Sequence, residues 1–188
     1  AVDFTTYDGK ALAAKMIQDR ECAKDSLILC GYLFPVMFSR NTKDHVGDPS
    51  LESKILSAIT GNEIDEAGLY RIGERIFNLQ RAILAREGHR GRECDKISEY
   101  NFTKPLKFDL HNPQLLSPGK GDEVVSKQGA LLDREKFERM KDEYYSLRGW
   151  DIDTGLQTRA KLEELGLGDI VSDLARRGLL ADSKRTGK

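Results

Sequence analysis

The chain lacks the cysteines that a stapled scaffold needs. It has three in 188 residues, Cys22, Cys30 and Cys94, and no Cys-x-x-Cys pair. An odd, sparse set makes no disulfide framework and fits a reducing, cytoplasmic compartment. It also cannot complete a four-thiolate iron site alone. Charge of one sign is lacking too: 30 basic residues face 31 acidic ones, for a net charge of −1. That excludes the basic surface a nucleic-acid binder carries. No apolar run is long enough for a bilayer, since the stretch from Leu27 to Phe38 is broken by Gly31 and Pro35. Residues 1–8 have neither the basic nor the apolar part of a secretory leader. The chain opens without Met, as a piece of a longer or processed protein would. There is no repeat and no low-complexity tract.

What is present is helical patterning, with 39% hydrophobic and 32% charged residues and length for one good core or two small ones. Leu69, Ile72, Ile76, Leu79 and Ile83 recur at spacings of 3 and 4 and predict a long amphipathic helix over Ile64 to Glu87. Asn62 reads as its N-cap and Gly88 as the residue after its end. Gly73 inside it predicts a close helix crossing. Asp48-Pro49 reads as the start of a helix with Leu51, Ile55, Leu56 and Ile59 inward, stopped by Gly61. Asp8 opens an earlier helix with Leu12, Met16 and Ile17 inward. Asp133 starts another with Phe137, Met140, Tyr144 and Leu147 on one face, followed by Gly149. Two short helices, from about Thr158 to Leu165 and about Asp169 to Arg177, each stop at a Gly-Leu pair of Schellman type. Between Gly88 and Leu132 turn residues dominate, with weak strand signals at Leu106–Phe108 and Glu123–Val125. The expected architecture is all-α: a multi-helical orthogonal domain over 1–180 with one long irregular loop region, then a flexible tail over 181–188.

The chemistry concentrates in Asp25-Ser26-Leu27-Ile28-Leu29-Cys30. Two readings stand side by side. In one, Asp25 is a helix N-cap and Cys30 a small core residue. In the other, the thiol ligates a buried cluster while the carboxylate holds a neighbouring cofactor.

This segment resembles the C-terminal pterin and cluster motif of the aldehyde ferredoxin oxidoreductase family, in which an Asp is followed five positions later by a Leu-preceded Cys. The resemblance extends in order along most of the chain. Leu69 to Arg81 looks like the family's long helix and Ala85-Arg-Glu-Gly88 like the turn after it. Lys136 to Asp151 (KFERMKDEYYSLRGWD) and Leu162 to Asp169 resemble its closing segments. It departs at Ile28, where members often carry Gly, at Gly31, where Lys is common, and over Arg92 to Ser98. The resemblance implies the last helical domain of an oxidoreductase that turns an aldehyde into a carboxylic acid. The cofactors implied are a tungsten (or molybdenum) bis-pterin and a [4Fe-4S] cluster, both shared with domains absent from this chain. By the same resemblance Asp25, Leu29 and Cys30 bind cofactor, and Cys30 is the iron ligand. Implied partners are the enzyme's other domains, ferredoxin, a small aldehyde and a second copy in a homodimer. The alternatives are a non-catalytic helical interaction module and a benzoyl-CoA reductase-type subunit, which shares the scaffold.

Other residues have milder readings. His45, between Asp44 and Asp48, is a polar loop residue or an acid/base or metal group. Cys94, flanked by Glu93 and Asp95, is a loop thiol without a nucleophile's surroundings. His89 with Arg86, Arg90 and Arg92 complements a helix end or docks an acidic ferredoxin. Trp150 reads as a core anchor at a helix end.

Overall fold

In the computed structural model, which describes residues 6–181, the sequence's capping signals set most helix ends. Helix α1 covers Lys10–Ser26, α2 Leu51–Thr60 and α3 Glu66–Arg86. The N-cap of α3 is Asp65, whose Oδ1 accepts from Gly68 N at 2.7 Å, three positions beyond the expected Asn62. Ser50 precedes α2. Asp48, expected as its cap, instead accepts from Ser50 N at 3.0 Å, so Pro49 lies ahead of the helix. Gly61 ends α2 with φ of 72°.

Past α3 come a single 3₁₀ turn at Gly91–Glu93, then α4 (Tyr100–Thr103) and an antiparallel pair of strands, β1 (Leu116–Pro118) and β2 (Val124–Ser126). The strand expected at Glu123–Val125 is therefore present one residue later. Leu106–Phe108 forms none; only Leu106 exchanges backbone hydrogen bonds, with Ala130 and Gly129. The chain closes with α5 (Arg134–Arg148), α6 (Arg159–Glu164) and α7 (Gly168–Arg176). Asp133 caps α5 through Lys136 N at 3.0 Å. The two Schellman endings form as read: Leu167 N donates to Leu162 O at 2.8 Å and Leu179 N to Leu174 O at 2.9 Å. The far end of the expected tail, from residue 182, lies outside the described residues. No described helix is long and apolar enough to cross a membrane.

Packing divides into two zones. The apolar one joins Ala82 and Ala85 of α3 to Leu162, Leu165, Leu167, Val171, Leu174 and Leu179. Each large aliphatic buried there contributes about 1.5–3 kcal/mol. The second zone, between α1, α3 and α5, is polar and close-packed. Arg148 is fully buried and pairs with Asp19 of α1. Its Nη2 donates to Gln18 Oε1 at 2.8 Å, its Nε to the Tyr144 hydroxyl at 3.0 Å, and its guanidinium lies 4.1 Å from the Phe77 ring centroid. Such a pair is tolerated because each guanidinium nitrogen has a hydrogen-bond partner. Trp150 is the anchor expected: its Nε1 donates to Asn78 Oδ1 at 2.9 Å, and Gln157 Nε2 donates to the same oxygen at 2.8 Å.

This zone overturns several inward assignments. The buried positions of α1 are Ala11, Asp19, Ala23 and Lys24, whereas Leu12, Met16 and Ile17 are exposed. In α3 the partly exposed Ile72 and Ile83 give way to Asn78 and Arg81. Tyr145 and Arg148 replace Leu147 in α5, and Ile59 of α2 is exposed. For α1 and the facing part of α3 the physical reason is Gly73, where a Cβ would lie 1.8 Å from the Asp19 carbonyl oxygen. Helices this close interlock through small residues and hydrogen-bonded polar groups rather than through bulky aliphatics.

Candidate functional site

The motif from Asp25 to Cys30 is the end of a helix, not a beginning. Leu29 N donates to Lys24 O and Ile28 N to Asp25 O, both at 3.1 Å, which is a Schellman ending for α1. The expectation that Asp25 starts a helix is thus corrected. An exposed carboxylate in a last helical turn sits at the negative end of the dipole and weakens the helix by roughly 0.3–1 kcal/mol. Capping therefore does not account for Asp25.

Ile28 occupies the residue after that end with φ of 58°, in the left-handed region where glycine is favoured. This is the position at which the resembled family often carries Gly. The backbone keeps the glycine conformation although the residue has changed, at a cost of about 1–2 kcal/mol for an L side chain. Ile28 is 93% exposed, so no burial offsets that cost. Ile28→Gly is expected to raise stability by about 1 kcal/mol, or about 3 °C in Tm, by thermal unfolding. A fall of that size would show that the turn relies on the Ile side chain.

The turn presents Cys30 as an exposed free thiol, with its carbonyl accepting from Leu33 N at 3.1 Å and Phe34 N at 3.0 Å. The alternative that packs this cysteine in the core does not hold. Leu29 is half-buried, while Asp25 is exposed. Beyond the thiol the chain exposes Tyr32, Leu33, Met37, Phe38 and Val46, an apolar surface of the kind that other protein covers. Lys24, which no sequence signal singled out, is buried below the turn.

His45 belongs to this loop. It is exposed, has φ of 58°, and stacks on Phe38 with ring centroids 5.6 Å apart. Its acidic neighbours are engaged elsewhere. Asp44 accepts from Val46 N, and hydrogen bonds from Lys54 and Ser50 hold Asp48 near a pKa of about 2. The loop reading of His45 fits these contacts, and the metal reading does not. Among the described residues no three His, Cys, Asp or Glu side chains gather closely enough to hold a metal ion. One thiol and one carboxylate on an open turn suit a group whose other ligands come from elsewhere.

The segment after α3 is structural. Arg92, expected in a basic cluster, turns inward to Glu138 at 2.6 Å and Asp142 at 2.5 Å. His89 binds Asp95 at 2.9 Å. Burial alone would raise the Asp95 pKa, but hydrogen bonds from Arg81, Tyr145 and His89 bring it down to about 2. Cys94 is half-buried beside this hub.

A family profile described as "Aldehyde ferredoxin oxidoreductase, domains 2 & 3" matches residues 1–167. The tungsten-containing aldehyde ferredoxin oxidoreductase of Pyrococcus furiosus is 30% identical over 162 residues, covering 86% of this chain and 22% of that protein. The enzyme of the same name from Thermococcus kodakarensis is 31% identical over 117 residues, covering 62% of this chain and 16% of that protein. The chain thus spans about a fifth of the length of these relatives. Among solved structures, the active site complex BamBC of benzoyl coenzyme A reductase, in complex with 1,5-dienoyl-CoA, superposes with a TM-score of 0.64. That match is 23% identical and covers 96% of this chain and 22% of the other, which is a likeness of fold. With the profile spanning nearly the whole chain, this helical protein belongs to the aldehyde ferredoxin oxidoreductase family, within the part that carries domains 2 and 3.

Proposed function

We propose that residues 1–180 form the C-terminal helical domain of a cytoplasmic oxidoreductase, followed by a tail over 181–188. The reaction is oxidation of an aldehyde with water to a carboxylic acid, releasing two protons and two electrons, the electrons passing to ferredoxin. The observation that carries this reading is the exposed Cys30 on an open, apolar turn. An interaction module that used the thiol only for packing would enclose it.

A tungsten (or molybdenum) bis-pterin, when bound, supplies the oxidation of the aldehyde carbon, and a [4Fe-4S] cluster supplies the one-electron outlet. Cys30 would give one thiolate to the cluster, the other three coming from domains outside this chain. Asp25 would accept pterin N–H donors, a charge-assisted contact that repays its cost to the helix. Leu29 anchors the turn between them. The apolar surface from Tyr32 to Phe38 would exclude water from the joint between domains and from the substrate path. The other domains, the small aldehyde, ferredoxin and a homodimer partner all belong to this reading.

The test is metal analysis combined with aldehyde-dependent reduction of a viologen dye, on the anaerobically purified native protein that contains this chain. Tungsten or molybdenum with aldehyde-driven reduction is expected. Metal with reduction of an aryl-CoA thioester and no aldehyde activity would favour the benzoyl-CoA reductase-type subunit. Absence of both metals would favour the interaction module.

A further inference from the structure

Lys24 lies in the last turn of α1 and is 5% exposed. Its carbonyl oxygen accepts the Leu29 N–H that closes the turn. Its side chain ends against the residue after Cys30: a Cβ on Gly31 would stand 3.0 Å from Lys24 Nζ. The ammonium is paired with Glu21, whose own side chain is half-exposed. That hydrogen bond holds the Lys24 pKa above the usual lysine value, so the group stays charged. Burying a cation is costly, and an apolar chain of the same length would fill this space without that cost. The position of the charge, against the backbone that carries Cys30, needs a reason of its own.

We propose that Lys24 is a positioning residue for electron transfer: its buried ammonium behind the Cys30–Gly31 turn raises the reduction potential of the cluster that Cys30 ligates. The proposal rests on the reading of Cys30 as a cluster ligand. Reduction adds one electron, and so one negative charge, to the cluster, and no bond forms or breaks. A fixed cation nearby favours the added charge. A side chain at position 31 would bring its Cβ to 3.0 Å from the ammonium, which would have to give by a few tenths of an ångström.

The experiment is a dithionite titration followed by low-temperature EPR, on the anaerobically purified native protein and on Lys24→Met and Glu21→Gln. Lys24→Met removes the charge at similar length and is expected to lower the midpoint potential. Glu21→Gln removes the partially neutralising carboxylate and is expected to raise it. An intact cluster signal with wild-type midpoints in both variants overturns the proposal. Should Lys24→Met fail to load or fold, Glu21→Gln decides at a half-exposed position, where an unchanged midpoint overturns it. Absence of any cluster signal in the wild-type protein instead overturns the reading of Cys30, and this proposal with it.

Discussion

Gly73→Ala is expected to destabilise the protein by about 3 kcal/mol, although alanine is the better helix former by about 1 kcal/mol. The added methyl would sit 1.8 Å from the Asp19 carbonyl oxygen, a backbone atom of the facing helix that cannot swing aside. Relief requires α1 and α3 to move apart. That would stretch the buried Asp19–Arg148 pair and the hydrogen bonds gathered on Arg148, whose geometry is what makes a buried pair tolerable. Thermal unfolding should show a Tm lower by about 6–12 °C for a chain of this size. Gly68→Ala, in the same helix, is the control. Its Cβ would meet only the side chains of Asp65 and Ile64, at 3.2 and 3.3 Å, so its effect should stay within about 1 kcal/mol. Equal effects from the two substitutions would contradict a close crossing at Gly73.

Gly73 also shows how much of the fold was legible. An isolated glycine in a long amphipathic helix is a readable sign of close approach, and the approach is there. Caps were readable where the signal is local chemistry, as at Asp133, Gly61 and the two Gly-Leu endings. Inward faces were less so. Hydrophobic periodicity pointed to Leu12, Met16 and Ile17, but the crossing at Gly73 admits only small side chains and satisfied polar groups, so the chain turns Ala11, Asp19 and Ala23 inward. Nothing in a hydrophobic pattern marks Arg148 as the largest fully buried side chain among the described residues, because its burial depends on Asp19, distant in sequence.

The candidate site was legible as a motif and misread as local structure. Asp25 resembles a cap by residue type, yet it lies at the opposite end of a helix. The signal that would have placed it is Ile28, standing where the resembled motif has glycine, since a glycine there marks a helix stop. The exposed aliphatics on α1 and along residues 28–46 share one reading. The chain spans about a fifth of the length of its relatives, and under the proposed function the other domains would cover this surface.

Cys30→Ser is expected to remove or replace the cluster while leaving the fold intact. The thiol is exposed and its side chain holds nothing together, so the change in stability should be within about 0.5 kcal/mol. A neutral hydroxyl is a far poorer iron ligand than a thiolate, so electron output should fall by more than the roughly 10–100-fold that disturbing a ligand's outer partners costs. The most direct measurement is iron content with the low-temperature EPR spectrum of the dithionite-reduced native protein, purified without oxygen, set beside Cys30→Ser. About four irons in the wild type, with a [4Fe-4S] signal that is lost or altered in the variant at unchanged thermal stability, is the result predicted. The same iron content and an identical signal in both proteins would contradict a ligand role for Cys30.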